Sequence, residues 1–264
     1  MRNEMNVMLG CDPEFFVKKN GKFICAHDLI PGDKRNPYPV EGGAVQVDGY
    51  ALEFNIDPSR NPEMFCMNVN QVLSIMRQMV DKKIKFALGV PVAHFTPEYM
   101  RAQHPKANEL GCDPDYNAWT GDVNPRPNGG LPMRTAAGHI HISWNGSNFA
   151  DEDLKRDICK QMDFFLGLPS VLYDDDTERR QLYGKAGAMR YKPYGVEYRT
   201  LSNAWLKNNR RMKQVAANAI IGVNEFFNGN IIADKVGDIQ EIINTSDKKA
   251  AFEIMRDFNI PSIV

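Results

Sequence analysis

The sequence predicts an α+β fold built on an antiparallel sheet, and two observations carry that prediction. Alternating strand patterns come in pairs joined by tight-turn dipeptides, Asn20-Gly21 and Asp48-Gly49. Amphipathic helical patterns stand between these strands and gather at the end of the chain.

The first pair covers residues 6–26, with VMLGCDPEFFV and KFICA on either side of Asn20-Gly21. The second covers 44–56, with AVQV and YALEFNI around Asp48-Gly49. Asn61-Pro62-Glu63 then supplies an N-cap, a first-turn proline and an early acid. Phe65, Val69, Val72, Leu73, Met76 and Val80 follow at helical spacing, which predicts a helix of about five turns. After the short strand pattern IKFALGV, residues 105–138 are rich in Pro, Gly and Asn and have no period, as expected of a lid or binding loop. AAGHIHISWNG reads as a strand closed by Asn145-Gly146. Asp151-Glu152-Asp153 opens a helix carrying Leu154, Ile158, Met162 and Phe165, which Gly167 and Pro169 are expected to end. YGVEYRTL at 194–201 is a further strand. Helical patterns at 208–228, 235–244 and 247–258 complete the chain, the first with Met212, Val215, Ala216, Ala219, Val223 and Phe226 in one stripe.

Composition narrows the function. The chain has 264 residues, 43% of them hydrophobic and 25% charged, with 32 Lys+Arg against 33 Asp+Glu. That is enough chain to bury a core as one domain over 1–264. A net charge of -1 gives no general attraction for nucleic acid or anionic lipid, so an electrostatic site must be local. No apolar run approaches a membrane span, and MRNEMNVML lacks the apolar core of a secretory signal; work in the cytoplasm, without membrane or nucleic acid, is the expectation. Cys11, Cys25, Cys66, Cys112 and Cys159 contain no C-x-x-C pair and read as reduced structural thiols.

Chemistry-bearing residues fall on strands at i and i+2, the spacing that puts two side chains on one face. The pairs are Asp12 with Glu14, His139 with His141, and Glu197 with Arg199; the second hairpin adds Asp48 and Glu53. Each pair alone also fits an ordinary role: a turn at Asp12-Pro13-Glu14, hydrogen-bonded structural histidines, an exposed ion pair at Glu197 and Arg199. Four such signals on strands of one sheet favour a shared concavity, and carboxylates crowded there call for divalent cations. Residues 178–199 carry Arg179, Arg180, Lys185, Arg190, Lys192 and Arg199 against only Glu178 and Glu197, a local anion site. Within it, Gly184-Lys185-Ala186-Gly187 can offer backbone amides to phosphate, although it lacks P-loop spacing. Polyphosphate-binding cations beside metal-binding carboxylates are the parts of phosphoryl transfer from ATP.

These motifs resemble the glutamine synthetase-like carboxylate-amine ligases. DPEFFVKKNGK resembles that superfamily's first metal strand, VDGYALEFNIDP the acid-bearing strand of glutamate-cysteine ligases, and AAGHIHISWNG and VEYR the Gly-x-x-x-His-x-His and Glu-x-Arg strands of glutamine synthetase. Together with GCDPDYNAW, RRQLYGKAGAMRYKP and VEYRTLSNAW, they look most like the phage-encoded amidoligase branch (COOH-NH2 ligase, type 2). The likeness spans about residues 8–206, leaving C-terminal helices at 207–264 without a motif.

The resemblance implies a curved antiparallel sheet with helices on one face, a glutamine synthetase-like catalytic fold. It implies ATP and two or more Mg²⁺ ions, or Mn²⁺, as cofactors. Asp12, Glu14, Asp48, Glu53, His139 and Glu197 would bind metal. Arg179, Arg180, Lys185, His141 and Arg199 would face the nucleotide, and Arg199, Glu197, Arg190 and Lys185 would serve the chemistry. The activity implied is amide formation through an acyl phosphate, between carboxylate and amine substrates drawn from amino acids, peptides or protein tails. Asp113, Asp115 and Tyr116 are further candidates for substrate contact, and 105–135 or the loop around Gly184 for a lid that excludes water. The alternatives are a metal-dependent phosphotransferase or hydrolase on the same fold, and a catalytically silent binding or phage structural protein.

Overall fold

The computed structural model describes residues 5–109, 114–125, 131–145 and 151–262, so Asp113, Cys112 and Gly146 lie outside the described residues. The first half contains β1 (Met8–Lys19), β2 (Lys22–Ile24), β3 (Tyr38–Val40), β4 (Gly43–Asp48), β5 (Ala51–Ile56), α1 (Pro62–Met79), β6 (Ile84–Ala87) and β7 (Val92–His94). Short elements follow: α2 (Pro97–Arg101), α3 (Pro105–Asn108), β8 (Tyr116–Asn117) and β9 (Met133–Thr135). Then come β10 (Gly138–Ser143), α4 (Glu152–Met162), α5 (Leu168–Tyr173), α6 (Glu178–Leu182), β11 (Ala188–Lys192) and β12 (Gly195–Tyr198). Last are α7 (Asn209–Phe227), α8 (Ile239–Thr245) and α9 (Lys248–Asp257).

The twelve-residue β1 organises an antiparallel sheet in the order β3-β4-β5-β1-β10-β12-β11-β8, with β2 and β6 also paired to β1. Its two ends have different partners: residues 8–13 pair with β10, while 16–19 pair with β6. Along β1 the faces alternate. Leu9, Cys11, Phe15 and Val17 enter the core under the helices, so Asp12 and Glu14 stand on the opposite face. The same alternation buries Ile140 and Ile142, and Val196 and Tyr198, leaving the two histidines and Glu197 on the face of Asp12.

Helices α1, α4 and α7 cover the core face, as the apolar stripes predict. Asn61 caps α1 through the Met64 N–H, and Phe65, Val69, Val72, Leu73 and Met76 are buried. On α7, Met212, Val215, Ala216, Ala219 and Val223 are buried, with Phe226 at the margin. Helices α8 and α9 form a second apolar cluster with Phe164, Phe165, Leu168 and Val171. Among the described residues, no helix is long and apolar enough to cross a membrane.

Three local expectations need correction. In the second hairpin Asp48 pairs with Ala51, so the loop residues are Gly49 and Tyr50, and only Gly49 takes positive φ. Asp48 is therefore a strand residue, on the face shared with Gln46 and, across the ladder, Glu53. The chain after Asp151 does not stop at Gly167 and Pro169. A π turn over Asp163–Gly167, in which the Leu168 N–H reaches the Asp163 carbonyl, carries α4 into α5. Pro169 follows that π turn, at the start of α5. Finally, 105–138 is not wholly irregular, since its described part contains α3, β8 and β9.

Candidate active site

Cross-strand register assembles the polar face. Asp12 lies opposite His139, His141 opposite Glu197, Glu14 opposite Glu53, and Arg190 opposite Glu197. Gly138, which opens the histidine strand, is required by its neighbours: a Cβ there would stand 2.4 Å from both the Ser202 carbonyl and Trp205 Nε1. That indole donates to the Gly138 carbonyl at 3.0 Å and fixes the start of β10.

One group of potential metal ligands comprises Asp12, His141 and Glu197, whose ligand atoms lie within 4.8 Å of one another. Asp12 Oδ1 is 3.2 Å from His141 Nε2 and 3.3 Å from His139 Nδ1. Burial alone would raise the Asp12 carboxyl, but His141 above all, with a smaller part from His139, holds it well below the usual range. Burial, reinforced by Arg199, pushes His139 down to about 3, so this ring is neutral at physiological pH. Glu197 is fully buried and is met by Arg199 Nη1, by Lys192 Nζ at 2.7 Å and by Arg190 Nη1 at 3.3 Å. Arg199 also places Nε 3.2 Å from Asp115 and Nη1 3.2 Å from His139 Nδ1.

The second group is Glu14, Asp48 and Glu53, again within 4.8 Å. The Ala137 N–H donates to Glu14 at 3.0 Å and the Gln46 amide to Glu53 at 2.6 Å. Among the described residues none of the three carboxylates forms an ion pair with Lys or Arg. Burial and then Asp48 raise Glu14 to about 7; burial and then Asp12 raise Glu53 well above its ordinary value. A divalent cation among these oxygens would relieve their mutual repulsion. His139 Nε2 is buried and makes no hydrogen bond, while Asp12 Oδ1 and His141 Nε2, also buried, meet only at 3.2 Å, so a ligand atom is left unsatisfied beside the crowded carboxylates. Oxygen donors with one or two imidazoles fit Mg²⁺ or Mn²⁺.

Asp12 and His139, together with Glu14, Asp48 and Glu53 of the second group, line a cleft whose walls also include Arg190, Arg199, Tyr183 and, from the aperiodic segment, Ala107 and Glu109; His141 and Glu197 do not line it. The other basic residues are placed differently. Arg179 lies beneath this wall, donating to the Thr200 carbonyl at 2.9 Å. Arg180 points into the body, donating to the Ile243 carbonyl at 3.1 Å and to Ser170 Oγ at 2.8 Å; it is not brought to the cleft. Lys185 is exposed and does not line the cleft. The Ala186 and Gly187 amides are already committed to Asn244 Oδ1 and Asp163 Oδ1. They cannot serve as phosphate donors in this conformation. Asp115 meets Arg199, whereas Tyr116 packs on Tyr191 with ring centres 5.1 Å apart.

Two contacts escaped the sequence reading. In the sequence Lys192 is one of six basic residues in its segment; its place on β11, opposite Gly195 of β12, aims it at Glu197. Tyr194, in the β11–β12 turn, places its hydroxyl 2.5 Å from His141 Nδ1 and so orients the ring whose Nε2 faces Asp12.

Comparison with solved structures gives distant likenesses. A bifunctional glutathione synthetase from Pasteurella multocida aligns at 10% identity over 96% of this chain and 49% of that one, with a TM-score of 0.47. The chain thus spans about half the length of that protein. GmaS without ligand aligns at 10% identity over 97% and 70%, TM-score 0.40, and a novel glutamine synthase homolog at 9% over 97% and 66%, TM-score 0.42. No curated protein matches the chain. In sequence, the segment carrying the His139 and His141 strand, the basic region and the Glu197 strand matches a carboxylate-amine ligase family, the phage phiEco32-like COOH.NH2 ligases of type 2, over residues 128–248.

Proposed function

We propose that the chain is an ATP- and Mg²⁺-dependent carboxylate-amine ligase that forms an amide bond through an acyl phosphate. The observation that carries this reading is the pair of adjacent groups of potential metal ligands on one sheet face, beside Arg190 and Arg199. We take the whole chain as one ligase domain working in the cytoplasm, where ATP and Mg²⁺ are supplied.

Asp12, His139, His141 and Glu197 would hold one cation, and Glu14, Asp48 and Glu53 another. Bound there, divalent cations offset phosphate charge and polarise the phosphoryl group. Arg199 and Arg190, already converged on Glu197, supply fixed positive charge where it builds on the transferring phosphoryl group. A substrate carboxylate oxygen attacks the γ-phosphorus and ADP leaves. The amine nitrogen then attacks the acyl carbon, phosphate leaves, and the amine's proton passes to solvent. A carboxylate needs this activation because its direct leaving group would be oxide. Because acyl phosphates hydrolyse, the cleft needs a cover, and the segment carrying Ala107 and Glu109 on its wall is our choice.

The test is ADP release from ATP and Mg²⁺ with pools of amino acids and short peptides. Release should require both a carboxylate and an amine, and should fall at least 100-fold in Glu197→Gln and Arg199→Ala. Phosphate release that ignores the amine would refute ligation in favour of hydrolysis. Retained activity in both variants would refute the site.

A further inference from the structure

The cleft contains a cation that the chemistry above leaves unused. Arg134, on β9, lies with its guanidinium carbon 5.1 Å from the ring centre of Tyr50, in the turn that follows Asp48. Both residues line the cleft. The Tyr50 ring is itself fixed, since its hydroxyl donates to Asn108 Oδ1 at 2.9 Å and it packs on Phe95.

Arg134 is only 9% exposed. Nη1 donates to the carbonyls of Leu131 and Met133 at 3.0 and 2.8 Å, whereas Nε is buried without a hydrogen bond. Among the described residues it has no carboxylate partner. A guanidinium stays charged in such a place, and burying one unpaired is costly. With Nη1 committed, the edge left for a ligand is Nε with Nη2, the fork that receives a planar carboxylate through two parallel bonds. The nearby wall includes the apolar Phe16, Leu131 and Met133, suited to a carbon stem rather than a triphosphate. Glu109 and Lys34 also line the cleft, with opposite charges.

We propose that Arg134, seated on Tyr50, anchors a carboxylate that the substrate keeps throughout the reaction. The chain would then act on an amino acid, or on a peptide held by its C-terminus, rather than on a carboxamide. This rests on the ligase reading for the reacting end only. The retained carboxylate belongs either to the acid substrate or to the amine substrate.

Saturation-transfer NMR with a pool of L-amino acids and dipeptides, and a matching pool of their C-terminal carboxamides, tests the anchor without turnover. Wild type should bind members of the acid pool at least tenfold more tightly than their carboxamides. Arg134→Gln should erase that preference, while Mg²⁺-ATP binding is unchanged. Arg134→Lys keeps charge and length but loses the fork, and should recover only part of the preference; it carries the test if Arg134→Gln fails to fold. Varying the acid and the amine separately then shows which KM rises in Arg134→Lys, and so which substrate owns the carboxylate. The proposal is overturned if no acid binds wild type, if carboxamides bind equally, if the variants keep the preference, or if Arg134→Gln loses ATP instead. Absence of Mg²⁺-dependent ADP formation, with the acid preference intact, would sink the ligase reading and leave the anchor standing.

Discussion

Glu53→Gln should stabilise the metal-free protein and weaken its response to Mg²⁺, two effects of opposite sign from one substitution. Glu14, Asp48 and Glu53 crowd their oxygens within 4.8 Å. Two unit charges at that separation repel by about 3 kcal/mol at an effective dielectric of 20, an upper figure because protons relieve it. The relief shows in Glu14, raised by burial and by Asp48 from 4.5 to about 7. Its sign follows directly. Between those two pH values the folded chain holds a proton that the unfolded chain has released. Metal-free stability therefore falls as pH rises from about 4.5 to about 7, by roughly 1.4 kcal/mol per unit and about 3 kcal/mol in all before solvent screening in the open cleft. Glu53→Gln removes one charge while its amide can still meet Gln46. We expect a gain of about 1–2 kcal/mol at pH 8, or roughly 2–8 °C in Tm. Saturating Mg²⁺ should stabilise the wild type by about 2.7 kcal/mol at a hundred times Kd, read as a rise in Tm, and should stabilise Glu53→Gln by less than half as much. Thermal melts from pH 5 to 8.5, with Mg²⁺ or EDTA, read all of this. A lower metal-free Tm for Glu53→Gln with an unchanged Mg²⁺ response would refute the reasoning.

Three further outcomes follow from single contacts. Asp163 accepts from Tyr198 at 2.6 Å, Trp119 at 2.7 Å and the Gly187 N–H at 3.0 Å, so Asp163→Asn must turn an amide N–H against one of three donors. That should cost about 2–4 kcal/mol in urea unfolding and alter tryptophan fluorescence; a loss below 0.5 kcal/mol would mean the network is dispensable. Gly138→Ala puts a methyl 2.4 Å from the Ser202 carbonyl, backbone that cannot swing away, and should destabilise by at least about 2 kcal/mol in the same assay. Tyr194→Phe keeps the ring but removes the hydroxyl at His141 Nδ1, so Mn²⁺ affinity measured by electron paramagnetic resonance should fall about tenfold with the Tm nearly unchanged. Unchanged affinity would show that the hydroxyl does not orient the imidazole.

The sheet face was readable because its information is local. Asp12 and Glu14, or His139 and His141, share a face by the two-residue period alone, and an apolar residue between them says which face is core. The basic segment offered no such rule. Arg179 and Arg180 are neighbours in sequence, yet one lies under the cleft wall and the other reaches the Ile243 carbonyl on α8. The amides of Ala186 and Gly187 are taken by Asn244 and Asp163, partners 58 and 24 residues away. Arg134 sat in a stretch without period, and its place depends on the Tyr50 turn, more than eighty positions earlier in the chain. Charge density along a chain identifies an anion site but not its members.

That distinction bears on how Glu197 should be tested. Lys192, Arg190 and Arg199 all converge on its buried carboxylate. Glu197→Gln therefore removes a ligand and also the counter-ion of Lys192, which Arg190 and Arg199 share, and lost activity alone cannot separate the two effects. Lys192→Met in the Glu197→Gln background removes one stranded charge without touching Asp12 or His141. If Glu197 serves chiefly as counter-ion, the double variant should recover both Tm and turnover. If it serves as a metal ligand, stability should recover by about 1–2 kcal/mol while ADP release stays at the single-variant level.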